Sequence, residues 1–545
     1  MKMDSPTILL TTGAPAGNRR ETEWQFDAAD LDAVRAWLLA GDLETGLQLE
    51  PLAAMRLRDT YFDTDRWSVL RAGFALRVRE SEAWPEATLK SLERSTEGLA
   101  VRREIVQFLA DANLHETLDD PGPVTERVRA LAGRRGLQAL FTVETQRERI
   151  ALTGTGSKAE IALDSSIFRT DAGAQRELRR VEIELVAGSV AALMPWVREF
   201  QAACALVPSR TSKFKLGLEC AGLEPRELPD LGPTVPDASM DATRFALTMV
   251  RREVLAMLAQ EPATRLGEDP EALHDLRVAV RRLETYLSAF RAHLPAAVVE
   301  CRKPLRDMRQ ILGRARDVEV QLAELEEFAG ELPEAERPSL DPLRQHLELV
   351  RREARAAMLE TLDADDTQDL LWRLETGVAE RAPESPVAPD TSAMRAISAT
   401  QLLAALVPEA FRRVRKRAAR LSPDSPSEEF HATRTRVKRL RHVVECARPL
   451  FDGSVKEFRR ALQRLQDVLG TLQDSHVASE RLRELAAAPP VSLPADTLFL
   501  MGRLTERHER SCGRMRRRFP KAWRRVRGKR WKALRRALTR TSDAE

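Results

Sequence analysis

Two textures of hydrophobic and polar positions divide the chain. Up to about residue 222, short segments switch between apolar and charged residues with a period of two: ETEWQF, ALRVRE, ATLKSL, RERIAL, AEIALD and VEIELV. Successive side chains of a strand point to opposite faces, so this alternation predicts half-buried strands. From about residue 240, apolar residues recur at i, i+3, i+4 and i+7 in long segments, which predicts helices. Turn clusters such as APESPVAPD (382–390) and SPDSPS (422–427) separate them. Between the two textures lies EPRELPDLGPTVPDAS (224–239), where four prolines and a glycine interrupt any periodic pattern. The expected architecture is therefore α+β and multidomain. An antiparallel β domain spans 18–222, a Pro-rich linker 223–239 and an all-α domain 240–540. The length of 545 residues agrees, because single cores stop growing near roughly 250 to 300 residues.

The helical half repeats itself. HDLRVAVRRL (274–283) returns as HATRTRVKRL (431–440), an offset of 157 that takes His274 to His431, Arg277 to Arg434, Arg281 to Lys438 and Arg282 to Arg439. The same offset takes Leu305 to Leu462, Gly313 to Gly470 and Asp317 to Asp474. Register held over so many residues predicts two similar helical units related by an approximate two-fold. In each motif the basic and apolar faces are opposed. Arg277 and Arg281 fall beside His274, with Leu276, Val280, Leu283 and Leu287 on the far side; Arg434 and Lys438 fall beside His431, away from Val437, Leu440, Val444 and Phe451. No acid stands four residues on from Arg277 or Arg434. Positive charge repeated with its histidine and spacing points to an absent anion rather than to a merely solvated face.

Composition adds a charge asymmetry. Residues 501–545 hold 17 Lys or Arg against 4 Asp or Glu, a net +13, which leaves −9 for the first 500 residues of a total of +4. A tail of that sign suits a polyanion. No run approaches the ~18 apolar residues of a membrane span, and the first residues contain only a four-residue apolar run, so a cytoplasmic protein without membrane attachment is expected. Five scattered cysteines with no CxxC pair argue against a disulfide framework or a zinc site. A P-loop, a GxSxG elbow and a catalytic Cys and His pair are absent from the sequence.

The strand segments also group their charges. Glu21 and Glu23 share one side of a strand, as do Arg77 and Arg79, Arg147 and Arg149, Glu160 and Asp164, and Glu182 and Glu184, while Lys90 sits with Thr88. An antiparallel sheet with a wet charged face is the ordinary reading. The other is a closed barrel with these side chains inside, acids and bases in separate rows, able to hold a metal and a phosphate chain.

The two histidine motifs, with LGRARDVEV (312–320) and LGTLQDSHV (469–477), resemble the CHAD domain. That resemblance implies a pair of helical bundles with a basic groove that binds inorganic polyphosphate and, in some members, attachment to polyphosphate granules. It assigns binding to His274, Arg277, Arg281, Arg282, His431, Arg434, Lys438 and Arg439, with Arg309, Arg316 and Arg441 as further candidates. Nucleic acid is the rival ligand, but the basic faces carry no interleaved aromatics, leaving only Trp523 and Trp531 in the tail for stacking.

ETEWQF, YFDTDRWSVLRAGFALRVRE, TLK, EIALDSSIF, RRVEIELVAG and SKFKLGLE resemble, in order, the CYTH domain of the triphosphate tunnel metalloenzymes. The resemblance implies an antiparallel tunnel in which Glu21, Glu23, Glu182 and Glu184, with Glu160 and Asp164, are metal-side acids for Mg or Mn. Arg77, Arg79 and Lys90 complete its catalytic set, and Arg147, Arg149 and Lys213 grip the triphosphate. The family's opening motif is Glu-x-Glu-x-Lys, and here Gln25 stands for the lysine. Two functions follow. One is a metal-dependent inorganic triphosphatase whose helical domain gathers substrate; the other is a polyphosphate-binding protein whose tunnel has lost turnover.

Overall fold

The computed structural model describes residues 17–40, 47–81, 84–92, 98–114, 118–154, 156–170, 173–225, 228–379, 397–451, 453–488 and 493–543. They form two compact units that divide at residues 227 and 228. The turn cluster at 382–390 lies outside the described residues. No helix among the described residues is long and apolar enough to cross a membrane.

The N-terminal unit is built on strands β1 (Gly17–Asp27), β2 (Gln48–Thr64), β3 (Phe74–Glu80), β4 (Glu86–Ser91), β5 (Leu99–Phe108), β6 (Leu137–Gly154), β7 (Ser157–Arg169), β8 (Gln175–Ala187) and β9 (Val207–Pro208). Helices α1 (Leu31–Leu39), α2 (Ser68–Arg71), α3 (Thr125–Ala132), α4 (Val190–Ala203) and α5 (Lys213–Cys220) surround or enter it. The pairing order β5-β4-β3-β2-β6-β7-β8-β1 closes through a further β1–β5 pairing, so β1 to β8 form an antiparallel barrel. All six alternating segments named above lie in strands. β5 escaped that reading, although its Arg102 and Glu104 alternate as the others do.

Alternation decides which side chains enter the barrel. Trp24 and Phe26 point outward and bury against Val34 and Leu38 of α1 and Leu193, Trp196 and Phe200 of α4. Glu21, Glu23 and Gln25 must therefore point inward, and all three are buried. The wet-face reading of the charge groups is corrected here: the outer face is apolar where helices roof it and carries ion pairs such as Arg58–Glu80 and Arg169–Glu144 elsewhere, while the charge groups named above line the lumen. One end of that lumen is filled. Tyr61, Phe141 and Phe168, in the same inward rows as Asp59, Arg147 and Asp164, gather with Phe214, Leu216 and Leu218 of α5. The Tyr61 and Phe141 rings stack with centroids 4.8 Å apart. SKFKLGLE thus makes a helix, capped by Ser212.

The second unit contains α6 (Ala242–Leu266), α7 (Pro270–Ala289), α8 (Ala296–Glu300), α9 (Arg302–Glu331), α10 (Asp341–Asp363), α11 (Asp365–Val378), α12 (Ala399–Ala418), α13 (Ser427–Cys446), α14 (Gly453–Ala487), α15 (Ala495–Arg527) and α16 (Lys529–Asp543). The offset of 157 is visible as a two-fold. Asp241 caps α6 and Ser398 caps α12, and these equivalent residues form a β-bridge with each other. Ala242 N–H donates to Ile397 O at 2.9 Å and, reciprocally, Ala399 N–H donates to Met240 O at 3.0 Å. Thr285 Oγ1 meets His442 Nδ1, its own equivalent, at 3.4 Å. A further apolar cluster pairs Leu325 with Leu482, Phe328 with Leu485, and Leu343 with Leu500 by the same offset. The apolar sides of both histidine motifs lie in one core, including Leu276, Val280, Leu283, Val437, Leu440 and Val444. Leu231 and Met240 join that core, so the Pro-rich stretch is packed at its C-terminal end.

The α5 plug depends on close approach. A Cβ on Gly217 would lie 2.0 Å from the Phe141 ring. Gly217→Ala is therefore expected to destabilise the chain by about 1–3 kcal/mol, measured as a lowered denaturation midpoint. An unchanged midpoint would mean that the plug yields freely.

Candidate functional site

Charged side chains in the lumen meet as groups of opposite sign, not as the separate rows of acids and bases expected from sequence. Lys90 Nζ lies 2.5 Å from Glu21 and 3.0 Å from Glu23. Arg102 reaches the same Glu23 oxygen at 3.0 Å, and Gln25 donates its amide to it at 3.0 Å. Arg147 contacts Asp164 at 2.7 Å and Glu182 at 2.5 Å, and Lys213, the first residue of α5, contacts them at 2.5 and 3.0 Å. Arg79 holds Asp59 through two hydrogen bonds of 2.7 and 2.9 Å, with Arg77 at 3.7 Å. Arg149 meets Glu160 at 3.1 Å. Strand register produces the mixing: Arg147 stands directly across from Asp164, and Asp59 from Arg79.

Burial sharpens these charges. It would raise Asp59 by itself, but Arg79 and Arg77 hold that carboxyl well below its usual range. Glu182 and Asp164 are likewise burdened by burial yet kept low by Lys213 and Arg147. Glu21 differs. Burial lifts it to about 7, and repulsion from Glu23, Glu104 and Glu184 adds to that lift against the attraction of Lys90. Glu184 is also raised, by burial first, and it stands directly across from Glu23 on β8. Arg19 meets Glu104 at 2.7 Å and Glu184 at 3.7 Å, so these acids also have cations beside them, and as hard oxygen donors they suit Mg or Mn. No three metal-ligating groups among the described residues converge on one point, and the Lys90 ammonium contacts both Glu21 and Glu23. Asp59, Arg102 and Glu104 belong to the lumen and were missed in the sequence. The inward alternation of Arg102 and Glu104 on β5 was the available signal.

In the helical unit the two motifs bring cations together near the two-fold. Arg277 has Asp317 at 3.8 Å, and Arg434 has Asp474 at 3.1 Å, each acid on the next long helix. The absence of an acid at i+4 thus did not mean an absent partner, and the repeat of Asp317 as Asp474 was its signal. Gly313 and Gly470 lie beside these arginines, where a Cβ would make only ordinary contact, 3.7 Å from Arg277 and 4.0 Å from Arg434. Arg281 and Lys438 have no carboxylate within ion-pair distance among the described residues. Burial first, then Arg277, Arg309, Arg434 and Arg441, lowers Arg281 to about 10. Burial, then Arg281 and Arg434, pushes Lys438 down to about 6.

The other candidates are placed differently. Arg309 bonds Glu284 at 3.0 Å, and Arg441 bonds Gln463 at 2.5 Å. Arg282 lies between Glu253 at 3.5 Å and Glu445 at 3.7 Å. Arg316 is engaged by Pro270 O, Glu271 and Glu319 at 3.0 to 3.2 Å. Arg439 is exposed, beside Arg436, Arg306 and Arg302. His274 and His431 are exposed in the early turns of α7 and α13. Trp523 and Trp531 are packed with Phe411 in the core, Trp531 at a centroid distance of 3.7 Å, so neither is free to stack on a base.

Comparison with known proteins finds a match to the CYTH domain over residues 38–215 and to the CHAD domain over residues 248–483. Among solved structures, the CHAD domain from the plant Ricinus communis is similar, with 24% identity, coverage of 57% of this chain and 96% of that one, and a TM-score of 0.39. PptA from Streptomyces chartreusis has 19% identity over 52% of this chain and 100% of its own, with a TM-score of 0.39. HpAC1 from Hippeastrum, for which a dominant triphosphatase activity is described, has 16% identity over 37% of this chain and 97% of its own, with a TM-score of 0.28. No curated protein sequence matches the chain.

Asp317 and Asp474 neutralise half of the axial cations. With inorganic polyphosphate as the probe anion, Asp317→Asn combined with Asp474→Asn is expected to tighten binding by about two- to fivefold at low salt, read by calorimetric titration. Weaker binding would mean that the acids position their arginines rather than compete with the anion.

Proposed function

For a chain made of a CYTH domain followed by a CHAD domain, we propose a metal-dependent inorganic triphosphatase whose helical unit binds inorganic polyphosphate. The observation that carries the first half is the charged lumen shut at one end by the Phe214 plug. Only a short phosphate chain, entering and leaving by one mouth, suits a blind cup. In the free protein each of the six cations that follow lies 2.5 to 3.7 Å from a carboxylate that stands where a phosphate oxygen could bind. Arg77, Arg79, Lys90, Arg147, Arg149 and Lys213 would exchange those partners for the triphosphate, orienting it and screening its charge in a site of low dielectric. Glu21, Glu23 and Glu184, which do not converge on one point in the free protein, would hold Mg or Mn once Lys90 turns from Glu21 and Glu23 to the phosphate chain. When bound, the metal supplies Lewis-acid polarisation of the phosphoryl oxygens.

The helical half of the proposal rests on Arg281 and Lys438. Burial and the neighbouring arginines disfavour the charge on Lys438 and crowd that on Arg281, and a polyanion relieves that repulsion with charge-assisted hydrogen bonds and counterion release. Association with polyphosphate granules is consistent with such binding.

A second reading keeps the binding and drops the turnover. It is favoured by Gln25, whose neutral amide donates to Glu23 where the family motif has a lysine. Phosphate release from triphosphate, long polyphosphate, ATP and thiamine triphosphate, with and without Mg or Mn, separates the two. The triphosphatase reading expects release from triphosphate that needs the metal, loss of release in Glu23→Gln, and turnover raised about tenfold or more in Gln25→Lys. Silence of the wild type and of Gln25→Lys with both metals leaves the binding reading. Replacing Arg281 and Lys438 together by Ala should weaken polyphosphate binding at least tenfold and flatten its salt dependence, with little change in melting temperature.

A further inference from the structure

The two-fold of the helical unit is broken in one respect that the axial site does not use. Residues 514–540 contain fourteen Lys or Arg and no acid, whereas their equivalents at 357–383 contain seven Asp or Glu and two Arg. Over their described residues, 357–379 and 514–540, both stretches run from the returning helix of a repeat into its last helix, α10 into α11 and α15 into α16. One edge of the unit is therefore basic and its counterpart acidic.

Twelve of the fourteen cations are exposed: Arg514, Arg517, Arg518, Lys521, Arg524, Arg525 and Arg527 on α15, and Lys529, Lys532, Arg535, Arg536 and Arg540 on α16. None of the twelve has an ion pair among the described residues. Their spacing of three, four and seven residues puts most of them on one face of each helix. The opposite faces are occupied, since Met515, Phe519, Ala522, Trp523, Val526, Leu534 and Leu538 lie in the core. An inserting membrane helix needs its apolar face free, so a bilayer is a poor partner. Base reading is equally ill served, because both tryptophans are packed and the stretch has no Asn or Gln. What remains exposed recognises phosphate charge alone.

The basic edge also adjoins the axial motif. Arg516 donates to Pro423 O at 3.0 Å and to Ser427 Oγ at 2.8 Å, and its guanidinium lies 5.2 Å from the centroid of the Phe430 ring. Ser427 opens α13 and Phe430 precedes His431, so Arg516 fastens the start of the basic run to the end of α13 that carries the second histidine motif.

We propose that the exposed face of α15 and α16 is a second polyphosphate-binding track, which takes the overhang of long chains as they leave the axial cluster past His431. The acidic equivalent edge repels the polymer, so the overhang runs to one side only. The proposal rests on the reading of the axial cluster as a polyphosphate site, and two variants separate their fates.

One variant replaces Arg518, Lys521, Arg525, Lys532 and Arg536 with Gln, all on the exposed face; the other replaces Arg281 and Lys438 with Gln. Binding is measured by titration over a range of salt, with chains of about 10 and about 100 phosphates, duplex DNA and phosphatidylserine vesicles. The track predicts that the first variant loses about tenfold or more in affinity for long chains, with a shallower salt slope, and binds short chains as the wild type does. The axial variant should lose the short chains and retain weakened, salt-sensitive binding of long ones. Equal loss for both lengths in the first variant, or no loss for either, overturns the track while leaving the axial site standing. Loss of DNA or vesicle binding alone also overturns it. Short chains bound normally by the axial variant would overturn the underlying reading instead.

Discussion

Like charge held together in a partly buried place is the constraint on which this structure depends. Arg281 and Lys438 lie near the two-fold with no ion pair among the described residues, amid Arg277, Arg434, Arg309 and Arg441. Left to themselves, such side chains would separate into water. They are kept in place because the opposite faces of α7 and α13 are locked into one apolar core, and because the two repeats are bonded through Met240, Ala242, Ile397 and Ala399. The rigidity of the apolar scaffold sustains the strain of the polar site, as expected where function and stability compete.

The barrel meets the same constraint by another route. Its lumen carries acids and bases in similar number, and strand register sets them opposite one another, so most charges are paired in the free protein. Glu21, Glu23, Glu104 and Glu184 are paired too, with Lys90, Arg102 and Arg19, but they crowd one another, and burial with that crowding lifts Glu21 to about 7. Crowded cations in the helical unit and crowded carboxylates in the barrel are complementary needs: one for a phosphate polymer, the other for a metal that accompanies phosphate.

Much of this was legible in the sequence, and the limits were physical. The period of two located six strands because alternation is a local property. It could not say which face was enclosed, since closure of a barrel is decided by pairings between distant segments; Trp24 and Phe26 settle it only once α1 and α4 are seen to cover them. The offset of 157 exposed the repeat and its paired cations. It could not show that Asp317 and Asp474 reach back to Arg277 and Arg434, because an interhelical ion pair leaves no periodic trace. Lys213 was placed in the lumen by resemblance, but its helix was not, since SKFKLGLE is too short to separate a strand from a helical turn by pattern.

The central claim is that unpaired cations near the two-fold are held ready for a polyanion, and Lys438 reports it directly. Its folded pKa lies below the ordinary lysine value, so the ammonium is present below about pH 6 and largely neutral above it. An anion favours the charged form and must raise that pKa. Nitrogen-detected NMR titration of the Lys438 side chain, assigned by comparison with Lys438→Arg, measures this with and without inorganic polyphosphate. The account predicts a midpoint near pH 6 in the free protein that moves above pH 8 when polyphosphate is bound. A free protein in which Lys438 titrates in the ordinary lysine range, or a midpoint that polyphosphate does not move, would contradict it.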